Sequence, residues 1–361
     1  MLQIGLATYM EIKMNKYDER YIFRLGNISD IDNIMCFIRE HWDNTHILSK
    51  DRAFFEYEFL ENNTVNVMLA IDRETNTIEA IAGFLKCSNT VPREEQDVWG
   101  SFWKVNNTTK NMTFLGVELI KRLMDILQCR NHLGIGINPK TTLPLRKVLF
   151  HEQTEKMKHY YMLNPEIEDY KIARINKKYN VKADKTISSI NITRLKEMEE
   201  VCNVFSLDNI KNIPYKDFWY IERRYFKHPY YHYQVYGLSQ RESPIETLVV
   251  LREIEQNDRK IIRIVDCIGN FRLLAGCNDF FNKLMSEKGY EYLDFYNLGI
   301  DKEIIITAGF KERDEEDVNI IPNYFEPFEQ KNVDIWVRYK DKNTVFCKAD
   351  GDQDRPRLIR Y

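Results

Sequence analysis

The sequence predicts an α/β (α+β) chain of two tandem domains with one shared topology, and three observations carry that expectation. At 361 residues the chain exceeds one ordinary domain and suits two of roughly 150–200 residues. Its composition, 43% hydrophobic and 30% charged, is that of a globular protein with enough apolar residues for a core in each half. The same order of strands and helices is also written twice, at a spacing of about 160 residues that sets Gly116 against Gly276 and Asn138 against Asn297.

In the first half, Tyr21–Gly26 reads as a strand. Ser29 then opens SDIDNIMCFIREHW, where Ile31, Ile34, Phe37 and Ile38 share one helical face behind an N-cap. DRAFFEYEFLEN is a second helix. VNVMLAID and IEAIAGFLKCS are strands joined by the polar turn RETNT, and DVWGSFWKV is another strand. TFLGVELIKRLMDIL has the 3.6 period of an amphipathic helix. HLGIGIN is a strand, TTLPLRKVLF a short helix and KHYYMLN the expected closing strand of the first sheet. The second half repeats the order with TISSINI, RLKEMEEVCNVF, KDFWYIERRYF, YHYQVYGLS, IETLVVLREI, RKIIRIVDCIG, LLAGCNDFFNKLMSEK, EYLDFYNLG and IDKEIIITAGF. NIIPNYFEPF and VDIWVRYK are expected to close the second sheet. The divisions expected are an extension over 1–19, a first domain over 20–165, a charged linker over 166–186, and a second domain over 187–361 with a polar tail.

A formal charge of −3 is close to balance, so nothing advertises nucleic acid or a membrane surface as a partner. Pairs such as Lys121-Arg122 and Arg223-Arg224 read as solvated helix faces. Seven cysteines lie singly and without a CxxC pair, which argues against a disulfide framework and a structural zinc. The N-terminal stretch lacks the pattern of a secretory signal, and no apolar run approaches the ~18 residues of a membrane span. A cytoplasmic location is therefore expected.

Two N-terminal helices, a run of antiparallel strands and then a β-α-β crossover form an order that resembles the fold of the GNAT acyltransferase superfamily, over residues 20 to 340. The resemblance implies a mixed, mostly antiparallel sheet in each half, splayed between its fourth and fifth strands and flanked by helices. It also implies an acyl-CoA cofactor, acetyl-CoA first among donors. Its pyrophosphate would lie on the loop after the fourth strand and on the positive N-terminus of the long helix. Such loops place small residues in a pattern resembling Arg/Gln-x-x-Gly-x-Gly/Ala. In the first half Asn111, Phe114 and Gly116 occupy the three places and only the glycine fits; in the second, Arg272 and Ala275 fit and Cys277 does not. The cofactor-binding residues implied are Val105, Asn111, Gly116 and Asn138 in the first half. In the second they are Gly269, Arg272, Ala275, Gly276 and Asn297. The stretches HWDNTHILSKD, KHYYMLN, NYFEPF and KADGDQDRP more specifically resemble GNAT-like proteins encoded with bacterial surface-polysaccharide genes. That likeness implies an amino-sugar acceptor, nucleotide-linked.

Acyl transfer of this class needs a base that takes a proton from the acceptor ammonium and a donor that protonates the leaving thiolate. Carboxylates at the ends of the fourth and fifth strands are the residues to weigh. The first half has none at SFWKVN and HLGIGIN, whereas the second has Asp266 and Asp294, with Tyr296 and Asn297 beside them. Asp266 is the candidate base, its alternative being a cap on the turn CIGN; Asp294 is either catalytic or paired with an arginine. Tyr161 and Tyr324 are late-strand tyrosines, and Tyr324 is the candidate thiolate donor. Trp42 and His46, between the first two helices, are candidates for stacking on and hydrogen-bonding a sugar, and His228 and Tyr230 in HPYYHY repeat that texture. No ligand-type histidine spacing is present, so no metal is expected. The tail offers Asp350, Asp352 and Arg355, either frayed in solvent or anchored by VFCKA and turned onto acceptor hydroxyls.

The leading expectation is an acyl-CoA-dependent N-acyltransferase acting on a small amine, with its chemistry in the second half because missing acids are harder to replace than a loop residue. A non-catalytic tandem binding protein is the competing reading. A relative of the peptidoglycan aminoacyltransferases is the third, against which stands the lack of an evident long helical arm.

Overall fold

The computed structural model describes residues 15–108, 110–179, 190–241 and 243–357, and it realises the doubled element string as two eight-stranded sheets flanked by helices. Both sheets are mostly antiparallel and each holds a parallel pair. By contacts the chain divides into two compact units. The smaller takes in Met1–Asn44, Leu48–Gly83 and Phe102–Ile126; the larger takes in Thr45–Ile47, Phe84–Ser101 and Leu127–Tyr361.

In the smaller unit the strand Tyr21–Asn27 pairs antiparallel with Thr64–Asp72, which pairs with Ile78–Lys86. The helix Ile31–His41 buries Ile31, Ile34, Met35, Phe37 and Ile38, the face its period predicts. Its entry differs from expectation. Asn27 and Asp30 form a reciprocal capping box around a 3₁₀ turn at Ile28–Asp30, so the cap lies two residues before Ser29. Asp51 caps the helix Arg52–Phe59, its carboxylate accepting from the Phe54 amide at 2.9 Å.

In the larger unit the second sheet runs in the order Lys311–Glu312, Lys158–Leu163, Tyr290–Leu298, Arg259–Gly269, Thr247–Gln256, Tyr233–Gln240 and Ile190–Leu195. Its central strands are near-continuous apolar runs because helices and tail cover both faces. Ile262, Ile264 and Val265 are essentially inaccessible, and burying each such side chain contributes about 1.5–3 kcal/mol.

The closing strands are exchanged relative to the sequence expectation. Lys158–Leu163, from KHYYMLN, pairs with Tyr290–Leu298 of the second sheet, from Tyr292 opposite Leu163 to Asn297 opposite Lys158. Reciprocally Trp336–Tyr339, from VDIWVRYK, lies between Asn131–Ile135 and Gln153–Lys156 of the first. The burial of Tyr160 and Met162 in one cluster and Tyr161 in another explains the first move, since a strand buried on both faces needs an interior place. NIIPNYFEPF joins neither sheet and forms the small hairpin of Tyr324–Phe325 with Phe328–Glu329.

The expected linker is docked where it is described. The amides of Lys171, Ile172 and Ala173 donate to the Glu291 carboxylate at 2.6, 3.0 and 3.2 Å, and Ile172 and Ala173 are buried. Residues 180–186 of that linker, the start of TISSINI and residues 1–14 lie outside the described residues. Among the described residues no helix is long and apolar enough to cross a membrane.

Candidate active site

The fourth and fifth strands of the second sheet, Arg259–Gly269 and Tyr290–Leu298, pair in parallel from Lys260–Tyr290 to Ile264–Phe295 and then part. At the parting the register against Thr247–Gln256 shifts, Val250 facing Asp266 and Leu251 facing Ile264, so Val265 is the extra residue of a β-bulge. The bulge brings Asp266 to the parting, where the sequence expectation puts it, but not to an open mouth. Asp266 is fully buried, and both its oxygens are committed. Lys216 donates to them at 2.7 and 2.8 Å, the Cys267 amide donates at 2.8 Å and the Tyr225 hydroxyl donates as well. A carboxylate held in this way has no lone pair left for an incoming ammonium, which removes the physical basis of a base role.

Lys216 is itself shared. Its ammonium lies 2.6 Å from Asp350 Oδ1 as a close ion pair, while Asp350 Oδ2 accepts from the Cys347 amide at 2.7 Å. Burial works against the Lys216 charge, but Asp266 and Asp350 outweigh it and hold the ammonium well above its ordinary range. Burial pushes Asp350 up to about 6 against the pull of Lys216.

Asp294 pairs with an arginine, the alternative weighed for it. Arg263 holds it in a bidentate fork at 2.8 and 2.7 Å, and His159 Nε2 lies 3.0 Å from it. Burial alone would raise its pKa, but Arg263 and His159 bring it down to about 2. Burial depresses His159 to about 4, and its ring stacks on Tyr296 with centroids 3.8 Å apart. Tyr296 is inaccessible, its hydroxyl donating to the Val333 carbonyl at 3.1 Å, so it offers no surface to a substrate.

The first sheet parts at the same place. Asp97–Gly100 pairs in parallel with Asn131–Gly134 and the pairing ends there. Gly100 and Gly134 make room for the Arg338 guanidinium, since a Cβ on them would lie 2.7 and 2.5 Å from it. Arg338 joins a buried cluster in which Glu152 accepts from Arg338 at 3.1 Å and from Arg146 at 2.5 and 2.9 Å. Just beyond the parting, the Ser101 hydroxyl lies 3.2 Å from Asp352 and accepts from Arg355 at 2.8 Å, and Arg355 donates to Asp352 at 3.1 Å. The tail is thus anchored rather than frayed, and Asp352 and Arg355 stand at the first sheet rather than over the second.

The two helix-entry loops differ. In the smaller unit, Asn111 lies 3.3 Å from the Tyr21 hydroxyl, which accepts from the Met112 amide at 3.1 Å. Gly116 is needed for close packing, because a Cβ there would lie 2.9 Å from Trp103 Nε1 and 3.0 Å from Val105. In the second half the loop is wound into a 3₁₀ helix, Phe271–Gly276, capped by Asn270. The Arg272 amide donates to the Asn270 side chain at 3.3 Å, and Ala275 lies inside the 3₁₀ turns. Gly269 takes φ 109° against the Glu246 carbonyl, and Gly276 packs on Ile190. Asn138 is exposed and accepts from the amides of Lys140 and Thr141 as a turn residue; Asn297 is buried, opposite Cys347 and Lys158.

The remaining candidates scatter. Trp42 packs on Phe102 in the smaller unit, and His46 is half-buried in the Thr45–Ile47 segment of the larger. His228 Nδ1 accepts from the amides of Tyr230 and Tyr231, and burial depresses it to about 3, while Tyr230 is exposed. Tyr324 is half-buried on the small hairpin with Arg357 over its ring, away from any late-strand position. Sequence reasoning missed Lys216, Arg263, His159 and Ser101. A charge inside an apolar run, as Arg263 is in IIRIV, was the one local signal among them.

No protein-family model matches the chain, and no curated protein matches it. Solved structures do. A GCN5-related N-acetyltransferase from Anabaena variabilis superposes with a TM-score of 0.50 at 10% identity, over 88% of this chain and 72% of that one. A protein from Enterococcus faecalis described as a probable N-acyltransferase superposes with a TM-score of 0.52 at 10% identity, over 81% and 70%. The likeness is one of fold: two sheets of mostly antiparallel strands flanked by helices, as in GCN5-related N-acetyltransferases.

Proposed function

We propose that the protein is an acyl-CoA-dependent N-acyltransferase whose acceptor is a small amine, namely a nucleotide-linked amino sugar destined for a surface glycan. The observation that carries this reading is the parting of the first sheet beyond Gly100 and Gly134, with Ser101, Asp352 and Arg355 beside it. In the reaction the acceptor nitrogen, once it has lost its ammonium proton, attacks the thioester carbonyl. A C–N bond forms, the C–S bond breaks, and the CoA thiolate leaves and takes up a proton. Asp352 would accept hydrogen bonds from the acceptor's ammonium and hydroxyls, and Arg355 would donate to its oxygens, a phosphate included. Fold alone does not establish chemistry, so the reading rests on this cluster.

The phosphates of acyl-CoA are expected at a helix entry, where the N-terminus favours an anion; Val105, Asn111 and Gly116 are the residues expected to meet them in the first half. Asp266 and Asp294, the candidate acids of the second half, are both held in buried ion pairs, with Lys216 and Arg263 respectively. Those committed acids also favour the competing reading, a non-catalytic binding protein. Titration with acetyl-CoA separates the two, since a ligand that binds the native state raises the unfolding midpoint by mass action. A rise with acetyl-CoA, and release of free thiol on adding a nucleotide-linked amino sugar, are expected. No midpoint shift and no heat at millimolar acetyl-CoA would leave the binding-protein reading in front.

A further inference from the structure

Where two parallel strands part, each presents a backbone edge with which an extended chain or an amide-bearing ligand can pair. In the second sheet both edges are already taken. The bulge turns the Val265 carbonyl out of its ladder, and the Ala349 amide donates to it at 2.8 Å. Across the gap, Phe346 and Cys347 pair antiparallel with Leu298 and Asn297 of the fifth strand. Phe346, Cys347 and Ala349 have no accessible surface.

Charged side chains fix the segment on both sides. Lys216 ties Asp350 to Asp266, and Arg224 donates to the carbonyls of Ala349 and Asp354 at 3.1 and 3.2 Å. Arg252 lies 2.7 Å from the Asp354 carboxylate, which also accepts from the Tyr233 hydroxyl at 2.8 Å. Past this anchor the chain crosses to the first sheet within a few residues. A Cβ on Gly351 would lie 2.9 Å from Ile135, and Gly136 has no side chain where Gln353 stands. Asp352 and Arg355 then reach Ser101.

We infer that the parting of the second sheet is a socket for the chain's own residues 346–350 and not a ligand groove, and that the socket serves to set Asp352 and Arg355 at the parting of the first. The protein therefore takes one acyl-CoA per chain. Lys216 is a positioning residue: it acts on the acceptor through the tail and touches neither substrate. The part of this inference that concerns acyl-CoA and acceptor rests on the N-acyltransferase reading; the socket itself does not.

Hydrogen exchange read by mass spectrometry on the full chain tests the socket without any ligand. The amides of residues 346–350 are expected to exchange as slowly as those of the strand Thr247–Gln256, and to stay protected in saturating acetyl-CoA. Fast exchange there in the free protein, or loss of protection on adding acetyl-CoA, would overturn the inference, because the segment would then be a displaceable occupant of a groove. Lys216→Met is expected to speed exchange over 350–355 at least tenfold while Thr247–Gln256 stays protected, and unchanged exchange there would also overturn it. In turnover, Lys216→Met and Ser101→Ala are both expected to raise KM for the amine at least tenfold with KM for acetyl-CoA within twofold. Equal rises in both constants would refute the positioning role. Calorimetry that shows no acetyl-CoA binding, with slow exchange at 346–350, would sink the N-acyltransferase reading and leave the socket standing; two acetyl-CoA sites per chain would refute the socket.

Discussion

Buried charge is the dominant theme among individual residues. Arg146 and Arg338 are both nearly inaccessible and share Glu152, while His132 sits between them with its pKa driven well below the ordinary value by burial and by those two guanidiniums. Removing one member of such a set leaves an uncompensated charge in a medium that solvates it poorly. Glu152→Gln is expected to destabilise the protein by about 3–5 kcal/mol, read as a lower urea midpoint. A loss under 1 kcal/mol would mean that water reaches the cluster. The pH response follows from groups of opposite sign. Burial depresses His159 to about 4 and His228 to about 3 from 6.5, so each must take up a proton on unfolding as the pH falls below 6.5. Asp350, raised to about 6 from 3.8, works the other way: its contribution is present at low pH and is lost as pH rises through about 6. Asp294, lowered to about 2, stabilises above 3.8 and loses that only as pH falls through about 2. With three histidines, His132 among them, against one aspartate, stability is expected to fall between pH 6.5 and 4. Urea midpoints at pH 7 and pH 5 check this, and a His159→Gln variant should show a shallower drop.

At the scale of elements, each unit has a device of its own. One is the bulge at Val265, which ends one pairing and frees a carbonyl for another. The other is the seating of the helix Leu115–Leu127, where Gly116 lies against Trp103 and Val105 with no room for a side chain. Gly116→Val therefore forces the helix entry away from the strand end. Overpacking of this kind costs about 1–3 kcal/mol, and thermal unfolding should show a correspondingly lower midpoint. If acyl-CoA phosphates lie at that helix entry, acetyl-CoA affinity should drop as well. A variant with unchanged midpoint and unchanged affinity would show that the loop yields without consequence.

For the molecule as a whole, the exchanged strands bind the two halves of the sequence more firmly than a linker would. We propose the division between Pro165 and Ile187 as the place where a protease cuts first, since sheets protect backbone that connecting segments expose. Because Lys158–Leu163 belongs to the second sheet and Trp336–Tyr339 to the first, the two fragments are expected to stay together. Size-exclusion chromatography of the nicked protein in buffer should give one peak containing both. Separate peaks without denaturant would contradict the exchange, and a first cut inside IIRIVDCIG would contradict the division.

The sequence by itself determined which segments are strands and helices, because period and capping act over a few residues: the face of Ile31–His41 and the apolar run of Arg259–Gly269 are legible in the letters alone. It also determined the doubled order and with it the fold class. Only the tertiary structure decided which sheet each closing strand enters, since KHYYMLN and VDIWVRYK are equally good strands and their partners lie far off in sequence. The same holds for the candidate site. Asp266 stands where its place in the strand predicts, but Lys216, fifty residues earlier, and Asp350, in the tail, convert it from a free acid into an ion-pair partner. Local pattern reports what a residue is able to do; the charges that long-range packing brings within 3 Å decide which of those things it does.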